Sequence, residues 1–212
     1  MLRVGGLDRG AFGLREWGMA KVRVAIPVFK GVEELDAVGP FEVFGLARQC
    51  GAGVECQLVE CGGAESVRAF HGVTMGELGA PEGHYDLIVV PGGAWLAGGD
   101  TGVRRVIADG VVPRWIAAAH ADGAVVAGVC TGVFVLEAAG LLADRRATTH
   151  HLALGELSAR GVTVCKDRVV DEGTVVTAGG ITSAIDLALH LTGRFFGSEL
   201  VAKVRDLLEY RG

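Results

Sequence analysis

Short apolar runs rich in Val and Ile alternate along the chain with longer stretches whose apolar residues recur at the helical period. The runs at 22–29, 54–61, 87–90 and 124–129 predict four strands, and shorter strands are expected at 146–149, 162–165, 169–170 and 174–177. Helical period is found over 33–50, 103–107, 112–121, 131–142, 152–160, 182–196 and 198–210. In the first of these helices Leu35, Val38, Val43, Phe44 and Leu46 are candidate core residues, and Pro40 is either tolerated near the start or marks a break. The stretch 66–74 is expected to form a small hairpin. Strands without polar alternation, separated by helices, predict an α/β fold of doubly wound type, a mostly parallel sheet with helices on both faces. In such sheets ligands bind outside the carboxyl ends of the strands. Pro91-Gly92-Gly93 and Cys130 both fall at such ends.

With 212 residues, half of them hydrophobic, and 34 glycines, the chain is long enough for one sizeable core and short for two. A single domain over 19–212 is expected, preceded by a loose extension, 1–18. That extension carries Asp8, Arg9, Arg15 and Glu16 in place of the apolar core of a signal peptide, and Met19 is an alternative start. No stretch reaches the length of a membrane span. The formal net charge of −5 and the lack of any Lys/Arg run argue against nucleic acid, which leaves small molecules or protein as partners. Five cysteines form an odd set without a C-x-x-C pair, as expected for a reducing cytoplasm rather than a disulfide framework. The scattered histidines have no metal-ligand spacing, so neither metal nor other cofactor is expected.

The chemistry concentrates at Gly128-Val129-Cys130-Thr131-Gly132, where an apolar strand gives way to an apolar helical run. A G-x-C-x-G at a strand-to-helix junction is the cysteine form of a nucleophile elbow. Glycines on either side permit a sharp turn and close approach of backbone, which pushes the side chain between them out at the sheet's end. The amino end of the next helix then favours a thiolate and can hold an oxyanion. The alternative is a buried cysteine acting as a small hydrophobe, the reading applied to Cys50, Cys56, Cys61 and Cys165. Trp95, just past Pro-Gly-Gly, either lines an apolar pocket or packs under a loop.

The chain resembles the ThiJ/PfpI family of class I glutamine-amidotransferase-like domains, most closely its isonitrile hydratase branch. The segments that carry the resemblance are Leu35-Asp36-Ala37-Val38-Gly39-Pro40, Pro91-Gly92-Gly93, the cysteine elbow, Gly140-Leu141-Leu142 through Ala147-Thr148-Thr149-His150, and 177–186. It implies a flavodoxin-like three-layer sandwich, a homodimer, and a cysteine-dependent lyase that adds water to an isonitrile to give an N-substituted formamide. Cys130 would be the nucleophile and Asp36 the general acid/base; without the resemblance, Asp36 would read as a helix-start charge, as Glu33 and Glu34 do. By the same analogy the N–H groups of Gly93 and Thr131 steady negative charge, and the Thr131 hydroxyl bonds the sulfur or the water. His150 is a candidate base or a hydrogen-bonded strand terminator, and Gly92, Gly180 and Ile181 are further possible site residues.

Several departures from related patterns matter. His190 is followed by Leu191-Thr192, so the H-x-E of a glutamine amidohydrolase is missing, and Thr131 stands where peptidase and glyoxalase-like branches place His after the nucleophile. His151 replaces a common Trp. Glycine at 179 and alanine at 184 alter the entry to the last long helix. Alternatives that remain open are glyoxalase, deglycase or amidase-like chemistry, or a non-catalytic effector-binding or stress-protection domain related to the sensory part of AraC-type regulators.

Overall fold

The computed structural model describes residues 21–96 and 100–211. The expected extension, 1–18, lies outside them. The strands that the apolar runs predict assemble in the order β2-β1-β5-β6-β10-β9. They are β1 (Val22–Pro27), β2 (Val54–Val59), β5 (Leu87–Val90), β6 (Val125–Val129), β9 (Val169–Asp171) and β10 (Val175–Ala178). All neighbours run parallel except β9, which pairs antiparallel with β10. Val24, Ile26, Leu87, Ile88, Val89, Val90, Val126 and Val129 are fully inaccessible, which is why these runs show no polar alternation: both faces of the sheet are covered. The remaining strands lie apart. β3 (Ser66–Arg68) and β4 (Thr74–Gly76) form the expected hairpin, and β7 (Arg146–Ala147) pairs parallel with β8 (Thr163–Val164).

The covering helices are α1 (Glu34–Gln49), α2 (Gly102–Asp109), α3 (Val111–Ala121), α4 (Val133–Ala138), α5 (Leu154–Ala159), α6 (Ser183–Phe196) and α7 (Ser198–Leu207). Helix α1 packs against α6 and buries Ala37, Val43, Phe44 and Ala47, while Val38 remains exposed. Pro40 does not break α1; it removes the N–H that would reach the Asp36 carbonyl, and the helix continues past it. The helix expected over 131–142 is shorter than its pattern. Residues Cys130–Gly132 form a 3₁₀ turn, α4 follows for six residues, and Gly140 in the left-handed region ends the segment. The stretch 152–160 likewise begins with a 3₁₀ turn, His151–Ala153, before α5. The result is an α/β sandwich with the carboxyl ends of β1, β5, β6 and β10 along one edge.

Candidate active site

Cys130 sits one residue past β6 with φ +55°, a left-handed conformation rare for a side chain other than glycine. Two hydrogen bonds hold it there: its N–H donates to the Gly179 carbonyl (2.8 Å), and its carbonyl accepts from the Thr149 hydroxyl (2.6 Å). The flanking glycines are steric requirements. A Cβ on Gly132 would lie 2.2 Å from the Val90 carbonyl oxygen, and Gly128 is pressed against Leu136 and the backbone of Val133. The elbow therefore fits only because the turn after β5 crosses bare backbone.

That turn brings Pro91-Gly92-Gly93 against the start of α1. Asp36, fully buried, accepts the Gly92 N–H at Oδ2 (3.0 Å), and Glu33 donates its own N–H to the Gly92 carbonyl (2.9 Å). A Cβ on Gly92 would stand 2.7 Å from Thr131 Oγ1 and 2.9 Å from Asp36 Oδ2, so at this position the three segments meet without room for a methyl group. The Asp36 Oδ1 has no partner of ordinary hydrogen-bond geometry, and the carboxyl and the Cys130 thiol act directly on each other's titration.

Burial pushes the Asp36 carboxyl up to about 7, with the Glu33 charge adding and the Gly92 N–H and the thiol opposing. Burial also pushes the Cys130 thiol up to about 12, reinforced by the negative charge of Asp36. The backbone N–H groups of Ile181 and Thr131 reach the sulfur and work in the opposite direction. At the helix start where the sequence favours a thiolate, desolvation and the adjacent carboxylate work against the charged sulfur and the two N–H donors work for it.

The other expected site residues divide. Gly93 N–H donates to Thr131 Oγ1 (3.1 Å), so this donor is occupied by the hydroxyl, and the N–H that joins Thr131 at the sulfur is that of Ile181, at φ +41°. Gly180 touches His150 closely enough that a Cβ would fall 2.3 Å from its ring. His150 accepts the Leu152 N–H at Nδ1 (3.3 Å), stacks on His151 with ring centroids 4.5 Å apart, and is held below its ordinary range by burial and by His151. Among the described residues no hydrogen bond joins it to Cys130 or Asp36.

A cavity of about 260 Å³ opens over the sulfur. Its walls are largely apolar: Phe70, Trp95, Leu96, Leu152 and Ile181 surround Cys130, with His150 and Glu33 as the titratable groups at its margin. Trp95 is clamped. Its ring stacks on Phe134 (4.1 Å), Arg104 lies over its face (3.9 Å), and its indole N–H donates to Glu156 (3.0 Å). A wider cleft of about 870 Å³ adjoins this cavity and shares His150 and Ile181 as a common wall.

Sequence reasoning placed Glu33 among solvated helix-start charges. Its side chain is only 13% exposed and faces the cavity, because its N–H is tied to the Gly92 carbonyl. The β3–β4 hairpin carries His71 to within 3.6 Å of it, and Glu33, Glu34 and His71 offer ligand atoms all within 4.8 Å of one another. Nothing in the local spacing signals this cluster, since the hairpin arrives from well along the chain.

Comparison with known proteins places the fold in a family. The DJ-1/PfpI family model matches residues 22–193. The isonitrile hydratase of Pseudomonas putida is 42% identical over 125 residues, 59% of this chain and 52% of that protein. Protein DJ-1 homolog A of Arabidopsis thaliana is 31% identical over 193 residues, 89% of this chain and 46% of that protein. The chain thus spans about half the length of each of these two relatives. Among solved structures, Toxoplasma gondii DJ-1 superposes with a TM-score of 0.77 at 26% identity, covering 90% of this chain and all of that one. On the extent of the family match and the agreement in fold, the chain belongs to the DJ-1/PfpI family.

Proposed function

We propose that the protein is an isonitrile hydratase, a lyase that adds water to R–N≡C to give R–NH–CHO, with Cys130 as nucleophile and Asp36 as the proton carrier. The observation that carries this reading is the buried pair itself, a thiol against a carboxyl that titrates near neutrality. The reaction needs a nucleophile for the terminal carbon and an acid that protonates that same carbon. Asp36, as carboxylate, takes the thiol proton while the sulfur attacks, then delivers that proton to the carbon. The product is the thioimidate R–N=CH–S–Cys130. Ionised again after that delivery, Asp36 takes a proton from a water that adds to the carbon, and passes a proton to the nitrogen. Collapse of R–NH–CH(OH)–S–Cys130 releases the formamide, and the hydroxyl proton returns through Asp36 to the sulfur. The N–H groups of Thr131 and Ile181 favour negative charge on the sulfur as it develops.

The apolar cavity over Cys130 suits a hydrocarbon R group, and the partial similarity to the Pseudomonas putida isonitrile hydratase supports the same choice. Purified protein mixed with cyclohexyl isocyanide should form N-cyclohexylformamide, and Cys130→Ala should form none. Turnover that survives in Cys130→Ala would remove the covalent route. Failure of the unaltered protein to turn over any isonitrile, with the thiol still open to alkylation, would turn the assignment toward small aldehydes.

A further inference from the structure

We infer that Glu33 is the charge-selecting residue of the Cys130 cavity, admitting uncharged molecules and those with a positive charge or an N–H donor near its mouth while rejecting anions. Its position is set by backbone, since its N–H is bound to the Gly92 carbonyl at 2.9 Å and a Cβ on Gly93 would lie 2.6 Å from that same nitrogen. Its side chain does no structural work for the helix it precedes: at the N-cap of α1 it makes no capping hydrogen bond. The carboxyl is mostly enclosed, and the partner it does have is the His71 ring at 3.6 Å, an exposed group that compensates it only when protonated.

Among the described residues the cavity's one titratable lining group besides Glu33 and Cys130 is His150, which burial holds below its ordinary range and so disfavours as a cation. Among the described residues no Lys or Arg lines the cavity. The guanidinium groups beside Trp95 are engaged by other carboxylates, Arg104 by Glu156 and Arg160 by Glu137, and in the adjoining cleft Arg168 is paired with Asp186 while Lys166 is exposed to solvent. Asp36, behind the sulfur, adds charge of the same sign when ionised. A half-buried carboxylate over an apolar recess is screened poorly by solvent, so its field acts on whatever enters. The inference concerns entry to the cavity and holds whichever reaction Cys130 performs.

The direct test is the rate at which Cys130 reacts with two methanethiosulfonates of similar size, the 2-aminoethyl cation and the 2-sulfonatoethyl anion, at pH 8 and low salt. Peptide mass spectrometry separates Cys130 from the other four cysteines. A unit charge within several ångströms of a half-buried carboxylate should bias the two rates by about tenfold or more. Glu33→Gln should reduce the cation-to-anion ratio by about tenfold, whereas Glu42→Gln, the same charge change at an exposed position further along α1, should leave it within about twofold. An unchanged ratio in Glu33→Gln, or an equal fall in Glu42→Gln, would overturn the inference. With substrates, Glu33→Gln should raise the ratio of kcat/KM for isocyanoacetate to that for cyclohexyl isocyanide by about tenfold, and an unchanged ratio would count against the inference. The labelling arms read the filter even if no isocyanide is turned over, so failure of the hydratase reading and failure of this one give different results.

Discussion

Asp36→Asn should make the protein more stable at pH 8, and the size of the gain follows from the site. The folded carboxyl titrates at about 7 against an ordinary value of 3.8, chiefly because it is buried. Between those values the folded state binds a proton that the unfolded chain has lost, so stability is full below the unfolded value and falls as pH rises toward the folded one. About three pH units at about 1.4 kcal/mol each give an upper bound of about 4 kcal/mol lost by pH 8. At pH 5 only about a third of that loss has occurred. Asparagine keeps an acceptor for the Gly92 N–H but has no charge to desolvate, and its buried NH₂ group costs about 1–3 kcal/mol if unpaired. That cost is the same at both pH values. The difference in unfolding free energy between Asp36→Asn and the original protein should therefore shift by up to about 3 kcal/mol in favour of the variant between pH 5 and pH 8. Urea titrations at the two pH values measure it; groups away from the pair cancel because they titrate alike in both proteins, and the Cys130 thiol, pushed well above this pH range, adds little. A difference that stays constant with pH would show that Asp36 is not held protonated by burial. The same substitution should abolish formamide production, so stability and activity would move in opposite directions.

Gly92→Ala should destabilise the protein by about 1–3 kcal/mol and reduce activity by more than tenfold, since the new methyl would meet Thr131 Oγ1 and Asp36 at under 3 Å; thermal melts and formamide assays together test this, and a benign substitution would mean the segments can part. His150→Ala should lower kcat less than Asp36→Asn does, because no hydrogen bond links the imidazole to the pair; an equal loss would make it a base. The exposed Val38 and Phe41 on α1 mark an apolar face expected to lie in a homodimer, and sedimentation giving a monomer would remove that expectation.

The strands were legible because burial on both faces leaves an unmistakable signature, continuous Val/Ile runs such as 87–90. The elbow was legible because glycine on both sides of a cysteine reports a backbone crossing. Helix ends were less so. The apolar pattern over 131–142 cannot reveal that Cys130 turns at φ +55° and that Gly132 must clear the Val90 carbonyl, which together convert the first turn to 3₁₀ geometry. Glu33 was misplaced for a related reason: whether a helix-start carboxylate faces water or a cavity depends on a hydrogen bond to Gly92, far along the chain. Nor does anything in the residue type of Ile181 announce a positive φ that turns its N–H toward the sulfur.

The glycines and the chemistry are two consequences of one arrangement. Parallel pairing of β1 with β5, β5 with β6, and β6 with β10 delivers four connections to one edge, where they cross in contact. Gly92, Gly93, Gly132 and Gly180 are among the positions at which a Cβ would lie under 3 Å from a neighbouring segment. Backbones packed that closely leave little space for water around Asp36 and Cys130, and a pair so enclosed cannot carry two negative charges. One proton stays on the pair at neutral pH, and it is this proton that the proposed hydration would deliver to an isonitrile carbon. Enlarging the site to admit water would lower both titration points and remove the donor, so the tight crossing that makes the fold intolerant of substitution at these glycines is also what makes the thiol and carboxyl a proton-transferring pair.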